Sequence, residues 1–535
     1  GNSSVHQGFL GEREVMSSKS SSNSTGTPGP VTHVRDSGYV SSDLPADLAK
    51  FRDQIRKFAE EYGLDPFETI FEMVDSDQIN SLAALGGFPV RYPHWRFGME
   101  YDQLQKGYEW GLQKIYEMVI NTNPSYAYLM KSNSLVDQKT VMAHVYGHVD
   151  FFKNNYWFSK TNRKMLDSMA NHAVKIRDFM DIHGQDKVEE FIDHCLSIEN
   201  LIDPHLPFIN QKRRTKAEED GEEVKPGVPG KLKSDRQYMD AYINPPEFLA
   251  DQKKKMQDLA KKDKKNPSEP QKDILLFLLQ NAPMEDWQHE VLSIVRDESY
   301  YFAPQAQTKI MNEGWASYWH AKILTEKALK DSEIVDFCDH NAGVLAMQPG
   351  RINPYKVGVE LYRDIEDRWN RGKFGKDYDD CDDMVKKHHW DTKLNKGREK
   401  IFEVRRVCND ITFIDEYLTE EFAERLKLYT YAFNRRTNQY EIADRDYRKV
   451  KEKLLFQLTN LGQPFIYVMD GNFQNKGELL LWHKHQGLDL DVRWSRETMR
   501  ALNEIWKRPI NVETEVDGQK KLFTYQNGEF AEKFL

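Results

Sequence analysis

From Leu44 onward, apolar residues recur at the spacing of a helix face. Leu48, Phe51, Ile55, Phe58 and Tyr62 share one stripe, and Gly63 supplies a stop. The same period predicts a helix over 99–120, carried by Tyr101, Leu104, Tyr108, Leu112, Ile115 and Val119. A third helix is expected from Ser134 through Val141, Val145, Val149 and Phe152. Further helices are expected over 161–181, 185–200, 236–262, 271–281, 285–299 and 304–329. Asn353-Pro354 reads as an N-cap followed by proline at the first helical position. The polar stretch 211–235, with Pro226 and Pro229, reads as a long surface loop between helices.

Near residue 435 the pattern changes. A helix over 445–460 is followed by strand-like segments at 464–469 and 478–482, separated by the turn-rich 470–477. A helix over 495–507 comes next. Strands at 510–516 and 521–525 then flank Asp517-Gly518, a strong hairpin signal. The chain therefore reads as mainly α: a large helical domain over 44–435, zincin-like if its metal ligands converge, followed by a small α+β domain over 436–535. Residues 1–43 are rich in Ser, Gly, Thr and Pro and read as a disordered leader.

Composition narrows the function classes. The formal net charge of −10 gives no general electrostatic reason to bind nucleic acid. An aromatic content of 12% requires rings to be buried or to line a pocket. The four cysteines, Cys195, Cys338, Cys381 and Cys408, form no C-x-x-C pair and fit a reducing, cytoplasmic setting. No apolar run approaches the ~20 residues that span a bilayer, and 1–43 holds no signal-peptide core. Phosphate-binding glycine motifs and the G-x-S-x-G elbow are absent from the sequence.

The chemistry concentrates in two segments. In MAHVYGHVDFFKNNYWF (142–158), His144 and His148 are four apart, so a helix puts both imidazoles on one face. Two imidazoles so placed can hold one metal ion, as in H-E-x-x-H helices. Gly147 between them costs about 1 kcal/mol relative to Ala in a helix interior, which predicts that something packs against the backbone there. In QTKIMNEGWASYWH (307–320), Glu313 lies among aromatics and shares a face with His320. A carboxylate in that company must be paired, protonated or bound to a cation; an ion pair with a Lys or Arg from another helix is the alternative to a metal. The run over Asn312–Ala316 resembles the helix that supplies the glutamate ligand in gluzincin-type metallopeptidases.

His144, His148 and Glu313 would then form a His₂Glu set with an open fourth position. His320 would be a fourth ligand or would support one. Zinc suits these ligands, and iron or manganese also fit. The general base of H-E-x-x-H is missing, because Val145 stands in its place. Glu117 is the candidate base, its alternative reading being an exposed helix charge. Asn154 and Asn155 either face the pocket or end the helix.

Several long runs together resemble the stage V sporulation protein R (SpoVR) family. They are YPHWRFG at 92–98, YEMVINTNPSYAYLM at 116–130, MAHVYGHVDFFKNN at 142–155, SEPQKDILLFLLQNAP at 268–283, QTKIMNEGWASYWH at 307–320 and INPYKVG at 352–358. The resemblance implies a bacterial or archaeal cytosolic protein linked to the spore cortex, peptidoglycan or stress-phase metabolism. It also implies partners: a PrkA-type serine protein kinase and a YeaH/YhbH-type protein. Two functions follow as expectations, a metal-dependent hydrolase-like protein or a non-catalytic scaffold acting with those partners.

Overall fold

The computed structural model describes residues 44–109, 117–209, 266–347 and 352–535. The expected leader at 1–43, the loop at 211–235 and the helix at 236–262 lie outside the described residues. The protein is mainly α, with a large helical body and a small C-terminal sheet. Among the described residues, no helix is long and apolar enough to cross a membrane. The chain divides into two compact units, each drawn from two stretches of sequence. One takes the described residues up to Arg177 together with Pro304–Gly462. The other takes those of Asp178–Ala303 together with Gln463–Leu535.

Three helices form the centre of the first unit. The histidine helix, Leu135–Asn154, is capped by Ser134, whose hydroxyl accepts the Asp137 N–H at 3.1 Å. The glutamate helix is Lys309–Ile323, and the flanking helix is Pro354–Arg371. Asn353 caps the flanking helix, with Oδ1 2.9 Å from the Tyr355 N–H and Pro354 at the first position. The glutamate helix packs between the other two. Small residues allow a close approach on both sides. A Cβ on Gly147 would lie 2.7 Å from Ala316 Cα, and one on Gly358 would lie 2.2 Å from the Ile310 carbonyl oxygen. Gly147 therefore serves the close backbone contact that its place between two histidines predicts.

A three-stranded sheet sets where the histidine helix begins. Its order is β1 (Thr69–Val74), β3 (Ser125–Met130), β2 (Glu117–Ile120), with β1 parallel and β2 antiparallel to β3. This corrects the helix expected over 99–120: among the described residues the helix covers Trp95–Glu109, and Glu117–Ile120 is a strand. Val119 and Ile120 satisfy a helical period, but both are β-branched and lead into the turn at Asn121–Pro124. There Ser125 Oγ donates to the Thr122 carbonyl at 2.8 Å, and the chain reverses into the buried strand β3. Strand pairing overrides the local period. A hairpin, β4 (Thr430–Asn434) with β5 (Gln439–Asp444), also belongs to this unit. So does the helix Tyr447–Leu458, which buries Val450 and Leu454 in its core.

In the second unit the strands β6 (Phe465–Phe473), β7 (Glu478–Lys484), β8 (Ile510–Val516), β9 (Gln519–Gln526) and β10 (Glu529–Phe534) form one sheet in the order β10-β9-β8-β7-β6. The helix Val492–Trp506 joins β7 to its parallel neighbour β8. Asp517 and Gly518 both have positive φ, as a two-residue hairpin turn requires. Asn527-Gly528 repeats the device and creates β10, an additional strand.

The start of the glutamate helix is held from a distance. Thr308 makes no side-chain cap. Instead the buried Asp410 carboxylate accepts the Ile310 and Met311 N–H groups at 2.8 and 2.9 Å. Burial pushes the Asp410 pKa up to about 7, against the opposing pull of those two bonds and of Lys309. The folded value lies above the unfolded value of about 3.9. This group's contribution to stability is therefore full below about pH 4 and is lost as pH rises through 7. Asp410→Asn removes that titration and leaves only one acceptor oxygen. In denaturant unfolding, the stability advantage of wild type over Asp410→Asn should shrink between pH 4.5 and 7.5. An advantage that grows with pH would contradict this assignment.

Candidate metal centre

His144 and His148 stand one turn apart on the histidine helix, their rings edge to face with centroids 4.5 Å apart. The glutamate helix crosses in front of them at the Gly147–Ala316 contact and presents Glu313. Glu313 Oε2 lies 3.4 Å from His144 Nε2 and 3.4 Å from His148 Nε2. All three side chains are buried. Among the described residues, these three form a group of metal-ligating side chains, one ligand atom from each lying within 4.8 Å of the others.

The outward-facing nitrogens assign the protons. His148 Nδ1 is 2.8 Å from Asn312 Oδ1. A carbonyl oxygen only accepts, so Nδ1 carries the proton. His320 Nε2 lies 3.2 Å from Asn341 Oδ1 and donates to it. Burial, reinforced by the neighbouring His144, pushes the His320 pKa down to about 3 and keeps this ring neutral. Its Nδ1 therefore accepts from His144 Nδ1–H, at 2.7 Å. In their neutral forms both His144 and His148 turn a bare Nε2 toward the carboxylate. Burial alone would raise the Glu313 pKa. Positive charge on His148, hydrogen bonds from protonated imidazoles and the Lys309 charge would outweigh it and hold the carboxyl well below the ordinary range; a cation among the three groups would act in the same sense. Lys309, one turn earlier on the same helix, donates to Glu313 Oε1 at 2.7 Å and leaves Oε2 to the histidines.

The close-contact glycines Gly147, Gly314 and Gly358, the Asn353 cap and the ligand spacing fall within the segments that carry the family resemblance. A family model described as SpoVR like protein matches residues 43–463. The chain belongs to the SpoVR family. It is also 30% identical over 509 residues to the uncharacterized protein YcgB of Escherichia coli (strain K12), a match covering 90% of this chain and 94% of that protein. No solved structure matches the chain.

In this SpoVR protein the segments holding His144, His148 and Glu313, some 165 residues apart in sequence, meet as expected. His320 does not join them on the inner side. It stands behind His144 as a hydrogen-bond partner, because seven residues along the helix carry it two turns from Glu313. Glu117 begins strand β2, its backbone paired with Leu129, rather than ending a helix; its side chain lies outside the described residues. Asn154 and Asn155 end the histidine helix. Asn154 Nδ2 donates to the Asp150 carbonyl at 2.8 Å, and Asn155 Nδ2 donates to the Arg405 and Cys408 carbonyls at 2.7 and 2.9 Å. Beneath the site, buried Asp150 joins the two helices by accepting Trp315 Nε1–H at 2.8 Å.

Sequence reasoning missed Lys309, Asn312 and Asn341. Lys309 was readable, since a Lys four residues before a Glu on a helix is a pairing signal. The cation was sought on another helix. Asn312 lies inside the motif itself, but its role depends on a ring from the opposing helix.

Proposed function

We propose that this SpoVR protein is a metal-dependent, hydrolase-like protein in which His144, His148 and Glu313 hold one divalent ion, zinc first among the candidates. The observation that carries this reading is the pair of 3.4 Å Nε2–Oε2 separations between groups whose outer hydrogen bonds turn their lone pairs inward. Three electron-pair donors facing one another in a buried space repel unless a cation lies among them. A proton would draw nitrogen and oxygen to about 2.7–2.9 Å, the span of a charge-assisted hydrogen bond. Ligands at about 2.1 Å around a tetrahedral ion stand about 3.4 Å apart. Asn312 and His320 orient the two rings in the manner of outer partners at metal sites.

A bound divalent ion would supply Lewis acidity and an activated water to hydrolysis. The chain's residues would orient that ion and exclude bulk water. One feature favours a second reading, in which the ion is structural and the protein is a regulatory scaffold: the buried Val145 occupies the position of the usual general base. A setting in spore cortex, peptidoglycan or stress-phase metabolism, beside a PrkA-type kinase and a YeaH/YhbH-type protein, extends the proposal on the family resemblance alone. Elemental analysis of protein purified without chelators should find about one equivalent of zinc, iron or manganese. Protein that stays metal-free after incubation with each of these ions, while remaining folded, would sink the reading.

A further inference from the structure

Four residues after Glu313 on the glutamate helix stands Ser317, only 2% exposed. Its Oγ is buried and has no hydrogen-bond partner. A serine or threonine inside a helix commonly donates to the carbonyl four residues back. Thr140, Ser197, Ser299 and Thr325 all do so in this chain, at 2.7–2.8 Å. Ser317 leaves that acceptor unused, although a hydroxyl buried without a partner is costly. Its neighbours fix where it lies. Residues 313, 317 and 320 fall on one face of the helix, at spacings of four and three. His144 reaches both ends of that row: its Nε2 lies 3.4 Å from Glu313 Oε2, and its Nδ1 lies 2.7 Å from His320 Nδ1. The ring therefore stands alongside the turn that carries Ser317. Around the helix, Ser317 falls between Glu313, which faces the histidines, and Gly314, which meets Gly358 of the flanking helix. It occupies the wedge between the two neighbouring helices, on the side where the ligands converge.

We infer that Ser317 is the hydrogen-bond donor to the oxygen that completes the ion's shell: three protein ligands leave a fourth position for water, and the Ser317 hydroxyl holds that water in place. The inference rests on the metal reading above and adds a residue to it. It accounts for a hydroxyl kept in the core without an acceptor from the protein. It also gives the water a fixed orientation in a centre where Val145 stands in place of the usual base. Serine suits the role because a hydroxyl donates one hydrogen and carries no charge of its own to compete with the ion.

The test compares the whole chain with its Ser317→Ala variant, first metal-free and then loaded with cobalt(II), whose visible spectrum reports the ligands around the ion. Without metal, the variant should unfold at the same denaturant concentration as wild type or a higher one, since no hydrogen bond is lost and alanine favours a helix. Both proteins should retain cobalt. Fluoride, an acceptor that replaces water on a metal ion, should then bind cobalt-loaded wild type saturably. It should bind the variant at least about tenfold more weakly, the loss expected for one hydrogen bond to a charged group. Equal fluoride affinity in the two proteins would overturn the inference and leave the metal reading standing. So would the lack of any fluoride response in cobalt-loaded wild type, because Ser317 would then have no exchangeable ligand to hold. Lower stability of metal-free Ser317→Ala would also overturn it, assigning the hydroxyl to the fold. Failure of wild type to bind cobalt at all would instead overturn the metal reading beneath it.

Discussion

Glu313→Gln should weaken zinc binding roughly a hundred- to a thousandfold. Apparent zinc-site binding free energies of about 10–16 kcal/mol, shared among three or four ligands, make each worth about 3–4 kcal/mol. The amide keeps the shape of the side chain but loses the charge between the two Nε2 atoms, which lie 3.4 Å from Oε2. His148→Ala should cost a similar factor. His320→Ala should cost less, about 10- to 100-fold, as is typical when an outer partner of a ligating imidazole is removed, because His320 touches only the Nδ1 side of His144. Competition against a chromophoric chelator gives all three affinities. The ranking is the critical result: a His320 change as damaging as the Glu313 change would mean that His320 is itself a ligand.

Gly147→Val should both destabilise the fold and impair the centre. Even a single Cβ at this position meets Ala316 Cα at 2.7 Å, a backbone atom that cannot rotate away. The helices must separate, and overpacking of a dense core costs about 1–3 kcal/mol or more. Because the two histidines and the glutamate sit on opposite sides of that contact, separation also moves Glu313 away from both rings. Gly314→Ala tests the other side of the glutamate helix, where the added atom would lie 2.4 Å from the Gly358 carbonyl carbon. It should lower stability by a comparable or larger amount. Gly98→Ala is the control. Its Cβ would meet nothing within 4 Å, and a helix interior favours alanine by about 1 kcal/mol. Denaturant midpoints and zinc affinity measured together separate the two effects. A Gly147→Val protein as stable as wild type, with unchanged zinc affinity, would refute the close-contact account.

The legible parts of the fold are those announced by local chemistry. Ser134 and Asn353-Pro354 mark helix starts, and Asp517-Gly518 marks a hairpin. Asn527-Gly528 carried an equally clear signal for β10. The misread segment was 117–120, where a helical period and strand pairing fit the same four residues and only β3 decides between them. In the site, the spacing of His144 and His148 was readable because it lies within one helix. The meeting with Glu313 was suggested by motif likeness and not by spacing, since both helices are buried on nearly every face. Such helices lack the one-sided polar pattern that would show which face turns inward. The place of His320 behind His144 depends on how the two helices cross, and no one-dimensional period encodes that.

The carboxylate of Asp410 secures the glutamate helix from a hundred residues downstream. During synthesis, every group around the proposed ion has left the ribosome well before Asp410 appears, yet the first turn bearing Lys309 still lacks its anchor. Assembly of the centre is thereby tied to completion of most of the helical body. A prematurely ended chain would carry all the ligands and still be poorly arranged to capture metal.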